Sequence, residues 1–193
     1  MATIKPIAYL LLICLLGACG STPRSNYYML SADAEAATAA ISADDTVSLG
    51  IKPIEIPAYL DRSEMVSNRD DNRLAIAEYQ RWAEPLEDGI ERVLMINLST
   101  LLNARIQVFP WPRNSQPTYS VQLRVMQLSV NNSIAELVAQ WSVADTATKK
   151  TVAQRISQFG IDVGASKAGV VADTYSRLLL QLSEEIAAGV PGR

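Results

Sequence analysis

The short apolar run over residues 7–16 ends in Leu16-Gly17-Ala18-Cys19, and this junction decides how much of the chain is left to fold. The run is too short to span a bilayer, which takes about 20 apolar residues. Lys5 precedes it and the small residues Gly17 and Ala18 close it, the layout of a secretory signal. A cysteine directly after the small pair looks like a bacterial lipobox. The expectation is that Leu16, Gly17 and Ala18 are read by a signal peptidase, that residues 1–18 are removed, and that the Cys19 thiol is joined to a diacylglycerol. Acyl chains contribute roughly 0.8 kcal/mol per buried methylene, and two or three of them hold a protein on a bilayer. Residues 19–26 are small and polar, a lipid-anchored tether. Residues 27–193 are long enough for one domain with its own core.

That domain folds without covalent help. Cys14 leaves with the signal and Cys19 is used by lipid, so neither of the two cysteines can form a disulfide. The sequence has no histidine, which excludes a Ser-His-Asp triad and any His or Cys metal site. Asp44-Asp45 and Asp70-Asp71 are turn acids. Glu184-Glu185 belongs to a helix face in water. Gly160, Gly164 and Gly169 are spaced too loosely for a phosphate-binding loop. The net charge of −3, more acidic still once Lys5 is cleaved off, argues against nucleic acid. No metal, cofactor or catalytic residue is expected.

Hydrophobic periodicity supplies the elements. Residues 27–30 predict a first strand. Residues 31–45 are rich in Ala, Ser and Asp and read as a loop or a frayed helical turn. Val47, Leu49, Ile51, Ile54 and Ile56 alternate over 46–56, a strand limited by Pro53 and Pro57. Residues 64–69 and 73–78 flank Asp70-Asp71-Asn72 as a β-hairpin. Pro85 suits a helix start, and Leu86, Ile90, Val93, Leu94, Leu98, Leu101 and Leu102 extend it to Asn103. A short strand over 106–109 stops at Pro110-Trp111-Pro112. Over 118–130, Tyr119, Val121, Leu123, Val125 and Gln127 share one face, and Gln122, Arg124, Met126, Leu128 and Val130 the other. Strands over 134–144 and 150–159 follow. A second helix over 166–188 carries Val170, Val171, Tyr175, Leu178, Leu179, Leu182 and Ile186 on its apolar stripe, before Gly189. The class is α+β: an antiparallel-rich mixed sheet of about seven strands, with two long helices packed on one face.

Three segments carry a resemblance. Pro57-Ala58-Tyr59-Leu60-Asp61-Arg62, Val66-Ser67-Asn68-Arg69 and Tyr79-Gln80-Arg81-Trp82-Ala83-Glu84-Pro85-Leu86 resemble the ABC-type transport auxiliary lipoproteins, in particular their paraquat-inducible branch. Tyr27-Tyr28-Met29-Leu30 and Pro110-Trp111-Pro112 join the likeness; beyond residue 112 it rests on element order. Gln80 departs from it, standing where a basic or imidazole side chain is expected. The resemblance implies a non-enzymatic role beside a PqiB-like MCE-domain tunnel protein, whose outer end the lipoprotein would hold at the outer membrane. It also implies assembly into a homo-oligomeric ring. Likeness to bacterial lipoproteins in general points the same way. In them Asp after the lipidated cysteine favours the inner membrane, and Gly20 stands there instead, favouring the outer membrane with the domain facing the periplasm.

Candidate partner-binding residues follow from residue type. Tyr59, Leu60, Asp61 and Arg62 form a turn that meets a partner or closes a structural corner. Arg81 and Trp82 anchor an interface, or Trp82 packs over the helix start. Trp111, between prolines, meets lipid or a partner, or covers the core edge. Two other functions fit parts of the sequence: an assembly factor for another envelope machine, which would share the anchor, and a periplasmic hydrolase using acids.

Overall fold

A computed structural model of the chain describes residues 23–32, 47–69, 73–131, 133–164 and 167–191. The lipobox, the Asp70-Asp71-Asn72 turn and nearly all of 31–45 lie outside these residues. The elements run β1 (Asn26–Tyr28), β2 (Ser48–Ile51), β3 (Glu64–Arg69), β4 (Arg73–Trp82), α1 (Leu86–Leu102), β5 (Arg105–Val108), β6 (Tyr119–Asn131), β7 (Ile134–Asp145), β8 (Thr151–Asp162) and α2 (Ala168–Ala188). The α+β class holds. The strands form two sheets rather than one: five strands in the order β5-β2-β6-β7-β8 and three in the order β1-β4-β3.

The larger sheet is built on the meander β6-β7-β8, antiparallel throughout. Alternation on β7 sends Ala135, Leu137, Ala139, Trp141 and Val143 into the core. β2 enters between β5 and β6 and runs parallel to both. It is shorter than the predicted 46–56 because Pro53 has no N–H to give a ladder. The chain still follows β6 beyond it: the Lys52 and Glu55 amides donate to Val121 and Leu123, and Glu55 bridges Arg124.

The predicted faces of β6 are half right. Val121, Leu123 and Val125 point inward, but so do Leu128 and Val130, which period two puts on the other side. The register against β7 shifts between Val125 and Gln127. This bulge at Met126 inserts one residue and reverses the phase of everything after it. Met126 itself is exposed.

Both helices pack on each other, α1 also against β5 and α2 against β7 and β8. Ile90, Val93, Leu94 and Leu98 of α1 and Leu178, Leu179, Leu182 and Ile186 of α2 are buried. Asn103 ends α1 in the left-handed region, φ 45°, where Asn is tolerated. The predicted α2 stripe ends sooner than expected at its N-terminal side. Val170 is exposed, turned toward the small sheet, while Val171 is half-buried at the edge of the core.

Candidate functional site

The small sheet joins segments that sequence order keeps apart. β1 lies parallel to β4, with Tyr28 opposite Trp82, and the Ala83 amide donates to the Tyr28 carbonyl. Beyond the strand, Arg92 of α1 clamps the chain. Its Nη2 donates to the Leu30 carbonyl at 2.8 Å and to Glu84 Oε1 at 2.5 Å. The Ser31 amide donates to Ser176 Oγ on α2. The stretch just after β1 is thereby tied to both helices.

Two of the predicted partner-binding residues, Trp82 and Tyr59, lie near one buried ring, that of Tyr175. Trp82 stacks on Tyr175 of α2, centroids 6.2 Å apart and planes at 27°. Trp82 is 6% exposed and Leu60 4%. Both are therefore core residues, and neither offers its side chain to a partner. Leu60 pins the turn around it, its amide donating to the Pro57 carbonyl and its carbonyl accepting from Arg62. Tyr59 is half-buried and packs against the core. Burial raises its hydroxyl above the ordinary range, and a backbone hydrogen bond from Leu128 offsets part of that. Burial also pushes the Tyr175 hydroxyl well up, with a smaller contribution from Tyr59. The Tyr175 hydroxyl has no hydrogen-bond partner among the described residues. Asp61 and Arg62 remain on the surface, outside the ion pairs of the described residues. Arg81 pairs with Glu64 across β3 and β4 at 3.3 Å.

Trp111 lies elsewhere, over the outer side of β2. Its ring fills the space left by Gly50: a Cβ there would fall 2.4 Å from Cζ2. Its indole N–H donates to the Gln107 carbonyl, and its ring meets Phe109 edge-on, centroids 5.6 Å apart. Phe109 is 51% exposed, an aromatic surface that reading the Pro-Trp-Pro motif alone misses.

The feature least visible in the sequence is a groove of about 780 Å³ between the small sheet and the start of α2. Val66, Ala77, Val130, Val170 and Val171 form much of its wall, with Tyr28 beside them. Polar atoms at the rim satisfy one another: Gln80 Oε1 accepts from the Tyr28 hydroxyl at 2.7 Å and from Asn26 Nδ2 at 3.5 Å. Val66 sits opposite Ile76 on β4, so the two share a face. Ile76 is 52% exposed and carries the apolar surface along the hairpin. A signal for the groove existed in Val170 and Val171, but on a helical stripe they are indistinguishable from core.

Among the described residues, no cluster of His, Cys, Asp or Glu is placed to hold a metal, and no helix is long and apolar enough to cross a membrane.

Comparison with known proteins bears on the chain's family. Two crystal structures share the fold: an uncharacterized protein (TM-score 0.70, 18% identity, 86% of this chain and 98% of that one) and a Xanthomonas campestris protein (TM-score 0.69, 12% identity, 84% and 93%). The chain is 29% identical over 108 residues to proteins called intermembrane transport lipoprotein PqiC, from Escherichia coli (strain K12) and Shigella flexneri. Those matches cover 56% of this chain and 54% of each relative, so it spans about half the length of the curated relatives it matches. The family model for the ABC-type transport auxiliary lipoprotein component matches residues 28–187, nearly the whole of the folded domain. The chain belongs to the ABC-type transport auxiliary lipoprotein family.

Proposed function

We propose that this protein is the outer-membrane-anchored lipoprotein subunit of an MCE-type intermembrane lipid transport system, docking the periplasmic tunnel protein at the outer membrane. The observation that carries the reading is the family match over residues 28–187, together with relatives named for intermembrane transport. The lipobox supports the anchor, and Gly20 after Cys19 supports the outer membrane. Anchoring suits a docking role physically. It confines the domain to the surface where the tunnel ends, which raises the effective concentration of one for the other. Energy for transport would come from an ATPase elsewhere, so the subunit needs surfaces and no catalytic group. Asp61, Arg62 and the Phe109–Trp111 pair are the surface residues offered for that docking.

Affinity purification of the acylated protein from gently solubilised envelopes, followed by mass spectrometry, tests the reading. Enrichment of a PqiB-like MCE-domain protein is expected. Enrichment of a different envelope machine with no MCE protein would replace it with the assembly-factor reading. Cys19→Ala is expected to block maturation or move the protein from the membrane to the soluble fraction, scored by fractionation. Persistent outer-membrane attachment after clean signal removal would contradict the anchor.

A further inference from the structure

We propose that the groove between the small sheet and the start of α2 holds an acyl chain of a membrane glycerophospholipid, with the phosphate of its headgroup beside Lys167. This deepens the functional reading above and rests on its membrane anchorage.

The groove's shape and chemistry select the ligand class. Its volume of about 780 Å³ lies in the range of ligand clefts, roughly 300–1,000 Å³. The wall is mostly Val, Ala and Met side chains with the small Ser67 among them, and at the rim Asn26 and the Tyr28 hydroxyl both donate to Gln80 Oε1. Such a wall offers few free polar groups to a sugar or a nucleotide. It suits a hydrocarbon chain, which loses water on entry and asks for no hydrogen bonds.

The charge is as one-sided as the shape. Lys167 is the single charged residue of the lining, it is exposed, and it immediately precedes α2. The first turn of α2 carries no acid, so nothing there neutralises the cation or the helix's positive end. An apolar trough with a cation at one end complements an amphiphile with one anionic head.

Position then names the source. Asn26 and Tyr28 line the groove. The seven residues from Cys19 to Asn26 reach at most about 25 Å when fully extended. An acylated Cys19 therefore keeps the groove within that distance of the bilayer surface, where phospholipid is abundant. Val170, on the wall, is itself exposed, and the exposed Ile76 opposite Val66 extends the apolar surface along the hairpin, giving a chain a path in.

Photo-crosslinking in cells tests this on the full, acylated chain. A photo-crosslinking amino acid replaces Ser67, a groove residue, or Gln154, on the exposed face of β8. Cells are grown with radioactive phosphate. The expected result is phosphate label on the protein from the Ser67 position and none above background from Gln154. Gly169→Leu should fill the groove: a Cβ there stands 3.6 Å from the Tyr28 ring, an ordinary contact, and unaltered thermal melting shows that the longer side chain leaves the fold intact. The label should then fall about ten-fold, the change that 1.4 kcal/mol of lost affinity produces. Lys167→Glu should reduce it several-fold with unaltered thermal melting.

Equal labelling at both positions, or labelling indifferent to both substitutions, would overturn the proposal. So would a crosslink from Ser67 to the chain's own acylated Cys19 peptide in place of phospholipid, which would make the anchor the occupant. Purification of the MCE partner in parallel separates the two readings. Partner without label defeats the groove proposal alone; label without partner upholds the groove and defeats the docking role.

Discussion

Tyr175 concentrates the tension between burial and polarity in this fold. Its ring is needed, as the platform for Trp82, but its hydroxyl is buried without a partner among the described residues. An unsatisfied buried hydroxyl costs about 1–3 kcal/mol. Tyr175→Phe is therefore expected to stabilise the protein by about 1 kcal/mol, read as a higher urea midpoint at neutral pH. The pH dependence has a definite sign. Folded Tyr175 holds its proton to higher pH than the unfolded chain, whose tyrosines ionise near pH 10. The stability this contributes is full below about pH 10 and declines as the unfolded state deprotonates above it. The advantage of Tyr175→Phe over the parent should thus widen in alkali. A variant no more stable than the parent at any pH would show that the hydroxyl is satisfied. At this scale the sequence was only partly legible. Leu60 and Trp82 are the residue types used for both cores and interfaces, and only their neighbours decide which. Gly50 gives no local hint that it makes room for Trp111.

Among the elements, the bulge in β6 has the largest consequence per residue. Met126 is the extra residue that turns Leu128 and Val130 inward after Val125. Inserting one alanine between Gln127 and Leu128 would reverse the phase a second time and drive those two side chains toward solvent. Each buried apolar side chain of this size is worth about 1.5–3 kcal/mol, so the insertion should cost several kcal/mol. Met126→Ala, which keeps the residue count, should cost under 1 kcal/mol because the side chain is already exposed. Thermal melting of the two variants checks this; equal losses would refute the phase argument. Helices and the β7–β8 hairpin were readable because periodicity and caps are local signals. The bulge was not, since Val125-Met126-Gln127 contains no Gly or Pro to mark it. The division into two sheets was equally hidden. It depends on β1 finding β4, a parallel pairing set by tertiary contacts rather than by any turn.

For the molecule as a whole, the family match and the groove fit the proposed anchorage: an apolar trough lined in part by Asn26 and Tyr28, close in sequence to the proposed lipid attachment at Cys19. The larger sheet also imposes an order of events. β2 lies between β5 and β6 and pairs in parallel with residues 105–108 and 119–121, all made later in the chain. The β6-β7-β8 meander closes through short connections, so it forms early, whereas β2 must wait for distant partners and pays for a long loop closure. Pulse-labelling hydrogen exchange during refolding should protect the amides of β7 before those of β2; simultaneous protection would contradict the order. Synthesis delivers the chain in the opposite sense, with Cys19 and β2 first. A newly acylated molecule would therefore sit tethered to the membrane while its amino-terminal half is still waiting for its fold. During that interval Leu49 and Ile51 would be uncovered beside the lipid, and the speed of the carboxy-terminal meander would set how long they stay so.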